Sequence, residues 1–203
     1  MSKYFCLSPE LRRLEKQMQQ PPGYRPRGYG LHIMEGLDWR NRGNYSEIVD
    51  GVICRMQLED LKKRVDEIFS ETEEEIIFRS KKHRTAFFSR MTGKRAKTLY
   101  ISSGYAAAVF LLSADEGLWD RVSRNVLDTE IYFDRIRLGS VTLEQYILFH
   151  AARDVYQGTK HIRLSELADR ELIPDAILKL IVNAFVIEKC GMEMIKQEVW
   201  DAY

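Results

Sequence analysis

The stretch Gln20–Tyr45, QPPGYRPRGYGLHIMEGLDWRNRGNY, carries three prolines and five glycines. Proline removes an amide donor and clashes with the preceding turn, and glycine adds backbone freedom, so the composition predicts a loop here rather than a helix. Irregular segments of this length inside a compact chain are usually functional or disordered. Tyr24, Arg25, Arg27, Tyr29, Trp39, Arg40, Arg42 and Tyr45 interleave cations with aromatic planes along it. Such side chains bind by stacking and by bidentate hydrogen bonds, which points to a partner-binding loop. The competing reading, of equal weight, is a cover over a domain join with arginine stems packed on the rings.

The rest of the composition is that of an ordinary soluble protein. At 203 residues and 45% hydrophobic, the chain can bury roughly 70% of its unfolded surface. Lys and Arg number 31 against 30 Asp and Glu, a formal charge of +1. No whole-molecule field therefore draws it to nucleic acid or membrane, and electrostatic arguments must be local. Cys6, Cys54 and Cys190 are odd in number and widely spaced, which argues against a disulfide framework or a structural zinc and for a reducing, cytoplasmic location. The start, MSKYFCLSPELRRLEK, has no apolar core of a signal peptide. Neither secretion nor membrane insertion is expected.

Helix signals recur along the chain. Ser8-Pro9-Glu10 opens a helix that ends before Pro21, with a cap, a proline at the first helical position and an acid in the first turn. Ile48–Met56 combines β-branched residues with Gly51 and reads as a strand. Leu58, Leu61, Val65 and Ile68 mark an amphipathic helix. Ser80 caps KKHRTAFFSRM, placing His83, Phe87 and Met91 on one stripe with Lys81 and Lys82 turned away. LYISSGYAAAVFLLSA is apolar and rich in small residues, which suits a helix at the middle of a core. Asp115-Glu116 begins a short helix, and Thr142 and Pro174 begin two that are apolar on most of their circumference. Gly191 separates the last of these from a C-terminal amphipathic tail. A short strand at Glu75–Phe78 and one at Ile131–Leu138, where apolar and polar residues alternate, complete the expectation. The fold class that follows is α+β, predominantly α, with a small sheet of at most two or three strands.

The sharpest change of charge falls between two neighbouring segments. Ser70–Glu75 carries four glutamates and no base, whereas Arg79–Lys97 carries eight Lys and Arg, one histidine and no acid. A domain join in the acidic stretch divides the chain into an N-terminal helical and loop unit, 1–74, and a mostly helical domain, 75–203. The cations Arg79, Lys81, Lys82, Arg90, Lys94, Arg95 and Lys97 form a candidate phosphate-binding surface. The plainer reading is a solvated helix face screened by the neighbouring glutamates.

Catalytic patterns are sparse. His150 and Asp154, four apart on one helix, suit a histidine with its orienting carboxylate, but a buried hydrogen-bonded core pair is the stronger expectation. His83 reads as a core-edge histidine, His161 as a residue shaping the turn before a cap at Ser165, and His32 as the one histidine at a binding surface. Cys54, followed by Arg55, is the least poor candidate for a reactive thiol. No serine elbow, metal-ligand spacing or phosphate-cradling glycine loop accompanies these residues, so no catalytic residue, cofactor or metal is expected.

Phe78-x-Ser80-x-x-His83-x-x-x-Phe87, then Tyr105, Ala107, Phe110-Leu111-Leu112 and Asp115-Glu116-x-Leu118-Trp119, form an ordered series. Ile131-x-Phe133, Leu148, Ala151-Ala152, Tyr156, Ile162-x-Leu164 and Leu167 continue it. From Ile76 to Ile187 this series resembles an uncharacterised domain family of phages, prophages and integrative elements of Firmicutes. The resemblance implies a small, mostly helical domain and a mobile-element origin, and supplies no catalytic residue.

Together these readings lead to a non-enzymatic interaction protein of a phage or mobile element. An inhibitor of a host defence protein or ribonucleoprotein, such as a CRISPR effector, fits the cation-aromatic loop. The alternative is a nucleic-acid-binding accessory protein using residues 79–97, and a hydrolase built on His150 and Asp154 ranks third.

Overall fold

The computed structural model describes Val49, residues 59–69, 78–92 and 101–192, and Ile195. The chain divides into two units, Met1–Trp39 and Arg40–Tyr203, and every described residue belongs to the second. Its helices are α1 (Glu59–Phe69), α2 (Lys81–Met91), α3 (Ser103–Leu112), α4 (Glu116–Val122), α5 (Leu143–Gln157), α6 (Leu164–Ala168) and α7 (Asp175–Cys190).

The core is built around α3. Its sequence, SGYAAAVFLL, begins at Ser102, whose hydroxyl accepts the amide of Tyr105 at 3.2 Å, and every side chain from Tyr105 to Leu112 is buried. Three consecutive alanines keep the helix slim, so that α5 and α7 both pack closely against it. A helix buried on all sides has no polar face to spare, which is why its stretch of sequence carries no charge. On another flank, α2 and α4 complete the cover. Burying each large side chain here, such as Phe110 or Leu111, contributes about 1.5–3 kcal/mol.

Local chemistry sets the helix starts. Ser80 accepts from His83 N–H, Asp115 from Leu118 N–H, and Thr142 from Gln145 N–H in a reciprocal capping box. Each satisfies an amide that the first helical turn leaves without a partner. Pro174 precedes the first turn of α7, and Gly191 ends it with φ +81°, a conformation that costs other residues free energy.

The expected small sheet is corrected: among the described residues there is no strand, and the fold is helical rather than α+β. Ile131–Leu138 shows why. Ile131 makes one isolated antiparallel bridge to Val126, and the backbone then closes into a 3-10 turn at Phe133–Arg135, where Ile136 N–H donates to the Phe133 carbonyl. That turn buries Phe133 and Ile136 while consuming the amides a ladder would need. Phe78, expected to close a strand, instead lies as a ring among His83, Phe87, Phe88 and Phe110 at centroid distances of 5.0–5.6 Å. Val49, expected within a strand, is helical and buried. The other residues of Ile48–Met56 lie outside the described residues, as does the acidic stretch at 70–75. On its N-terminal side, α1 packs against α6. Ser165 lies inside α6 rather than capping it, because Arg163 holds the cap position and donates its N–H to Glu166 at 2.7 Å.

Candidate functional site around Asp154 and His161

Near its C-terminus α5 carries Asp154, and Gly158 ends the helix with φ +69°. The left-handed turn folds the following residues back over the carboxylate. Asp154 accepts the Thr159 hydroxyl at 2.7 Å, the His161 amide at 2.8 Å, the Ile162 amide at 2.9 Å and His161 Nδ1 at 2.7 Å. Burial pushes this carboxyl upward, but the hydrogen bonds from His161 N–H, Ile162 N–H, Thr159 and the His161 ring outweigh it and hold it below its ordinary value. An ionised carboxylate only accepts, so the His161 Nδ1 donates to it, and Nε2 lies on the far side of the ring from that bond.

The second imidazole is close by. His150, one turn before Asp154 on α5, has its ring centroid 4.7 Å from that of His161 and 4.3 Å from that of Tyr146. Its Nδ1 is buried and has no hydrogen-bond partner among the described residues. Burial, then the neighbouring His161 and Arg153, push the His150 pKa down against the pull of Asp154. The expected His150–Asp154 hydrogen-bond pair is therefore corrected, since Asp154 spends its oxygens on the residues after Gly158.

Tyr146 was not singled out in the sequence, and the signal for it was available. Leu143, Tyr146 and His150 follow i, i+3, i+7 spacing, an apolar stripe additional to the buried one formed by Ile147, Leu148, Ala151 and Ala152. Leu143 and Tyr146 are 53% and 50% exposed. A helix apolar nearly all round here turns one of its faces to solvent.

The candidate phosphate-binding cations divide. Arg79 pairs with Glu144 at 2.7 Å, Lys82 with Glu116 at 2.8 Å, and Arg90 reaches Asp128 at 3.9 Å while lying over the Trp119 ring. Lys81 is exposed. A hydrogen bond from Lys82 to Glu116, and then its charge, raise the Lys82 pKa. The screening carboxylates thus come from α4, α5 and the segment after α4. Lys94, Arg95 and Lys97, and the loop residues Tyr24, Arg25, Arg27, Tyr29, Trp39, Arg40 and Arg42, lie outside the described residues. So do His32, Cys6 and Cys54.

His83 sits deeper than a core edge, 1% exposed. Arg79 N–H donates to its Nδ1 at 3.0 Å, so the ring proton is on Nε2, 2.8 Å from the Phe110 carbonyl to which it donates. With both nitrogens spent inside the core, it is a structural residue. Among the described residues no helix is long and apolar enough to cross a membrane.

No family model, curated protein or solved structure matches the chain.

Proposed function

We propose that the chain is a non-enzymatic interaction protein of a phage or mobile element that binds a host defence protein or ribonucleoprotein. The observation that carries the interaction reading is the outward stripe of α5. Leu143 and Tyr146 stand half exposed there, and the Tyr146 ring continues into those of His150 and His161. Tyrosine is enriched in interface cores because it brings a large amphipathic surface at low conformational cost. The stripe rides on a helix whose adjoining and far faces are locked into the core by Ile147, Ala151 and Leu148, so a partner meets a preorganised surface. The resemblance of the residue series from Ile76 to Ile187 to a domain family of phages and integrative elements is the ground for the mobile-element origin, and the Tyr24–Arg42 stretch carries residue types suited to anchoring a partner. Ion pairing of Arg79 and Lys82 takes support from the nucleic-acid alternative.

Affinity capture from a Firmicutes host lysate, with and without nuclease treatment, tests the reading. A protein retained by the wild-type chain after nuclease treatment, and lost with Tyr146→Ala, is expected. No protein retained in either condition, or retention of nucleic acid without protein, overturns it.

A further inference from the structure

Asp154, His161 and His150 form a cluster that a docking surface does not require. The carboxylate is fully engaged by groups of residues 159–162, and one of those bonds fixes the orientation of the His161 ring. A histidine held through Nδ1 by a carboxylate, with Nε2 directed away, is the arrangement that prepares an imidazole to bind a metal ion. Beside it, His150 keeps a buried Nδ1 without a partner. Leaving such an atom unpaired costs stability, and an imidazole in that position calls for something to bond.

The ring separation agrees with a shared ligand. A metal–nitrogen bond of about 2.1 Å places an imidazole centroid about 3.2 Å from the ion. Two such rings at a nitrogen–metal–nitrogen angle between about 90° and 110° then have centroids about 4.5–5.2 Å apart. The observed separation is 4.7 Å, with the planes inclined by 40°.

We propose that His150 and His161 together bind one borderline divalent cation, of the class of Cu²⁺, Ni²⁺ or Zn²⁺, with Asp154 orienting His161 from behind. Among the described residues no group of three ligating side chains converges, so the two imidazoles are the ligands assigned to the ion. Hard cations such as Mg²⁺ prefer oxygen donors and are excluded by the two nitrogen ligands. Metal binding is read on the chain alone.

The test is calorimetric titration of the full chain with NiCl₂, CuCl₂, ZnCl₂ and MgCl₂, beside paramagnetic broadening of the histidine ring signals by Cu²⁺. One equivalent of each transition ion is expected to bind, with the His150 and His161 signals broadened first and no binding of Mg²⁺. His150→Ala and His161→Ala should each weaken binding at least about tenfold, and Asp154→Asn about 10- to 100-fold, thermal melts confirming that each variant is folded. His150→Gln keeps a polar side chain on α5 and should lose the ion as His150→Ala does. Absence of binding to the wild-type chain overturns the proposal. So does unchanged affinity in both histidine-to-alanine variants, which assigns the ion to other groups such as His32.

Discussion

Arg64 Nη2 lies 2.7 Å from Asp175 Oδ1 although 111 residues separate them. The guanidinium is 3% exposed and also donates to the carbonyls of Leu167 and Ile173. One side chain thus ties α1 to the turn between α6 and α7 by satisfying two backbone acceptors and the first acid of α7. Arg170, pairing with Glu67 outside this clamp, repeats the connection at the surface. The helix before the acidic stretch and the helical core after it are joined by a buried polar lock.

Removing that lock leaves buried carbonyls without donors. Arg64→Met is expected to destabilise the protein by about 3 kcal/mol, since each unsatisfied acceptor costs about 1–3 kcal/mol. Arg64→Lys should recover little of it, because an ammonium cannot match the planar fork that reaches three acceptors. Urea unfolding of the two variants checks this, and a lysine variant as stable as wild type would show that charge alone suffices.

A second expectation concerns acid. Burial lowers the His83 pKa from 6.5 to about 4 against the hydrogen bond to Phe110. Between these values the unfolded chain binds a proton that the folded chain refuses, so stability is full above pH 6.5 and falls as pH drops toward 4. At about 1.4 kcal/mol per unit, the loss between pH 7.5 and 4.5 is about 2–3 kcal/mol. The same unfolding series on His83→Gln should lack this increment. Equal pH dependence in the two proteins would assign the acid sensitivity to other groups.

Gly158 offers a purely conformational test. Its φ is +69° and no atom lies within 4 Å of where a Cβ would stand. Gly158→Ala should therefore cost about 1 kcal/mol through backbone strain alone, without a clash. Because this turn delivers Thr159 and His161 to Asp154, the substitution should also weaken protection of the His161 amide in hydrogen exchange.

What could be read from the residues follows from the range of the forces involved. Ser80, Asp115, Thr142, Pro174 and Gly191 mark helix ends through bonds or dihedrals within a few positions, and their elements stand where expected. Small residues in Ser102–Ala108 announced the central helix because slimness is a property of the segment itself. Alternation at Ile131–Leu138 misled because a strand requires a partner, and the residues that bury Phe133 and Ile136 come from elsewhere in the fold. The four-residue spacing of His150 and Asp154 does place both on one helix. That Asp154 turns instead to His161, seven residues later, depends on the left-handed turn at Gly158, and the solvent-facing side of α5 depends on where α3 and α7 lie.

The last expectation weighs the basic segment. A helix face that neutralises about five phosphates gives a log–log salt slope of about −4.5 for nucleic-acid binding. On α2, however, Lys82 is engaged by Glu116 and the preceding Arg79 by Glu144, so each phosphate contact would have to displace a carboxylate already at 2.7–2.8 Å. Lys81 is exposed, and among the described residues no carboxylate pairs with it. The double variant Lys81→Glu, Lys82→Glu is therefore expected to change the salt slope of any oligonucleotide binding by less than about one unit. Fluorescence anisotropy across a salt series measures it. A slope flattened by two units or more would show that α2 meets phosphates directly, and would move the nucleic-acid reading ahead of the protein-binding one.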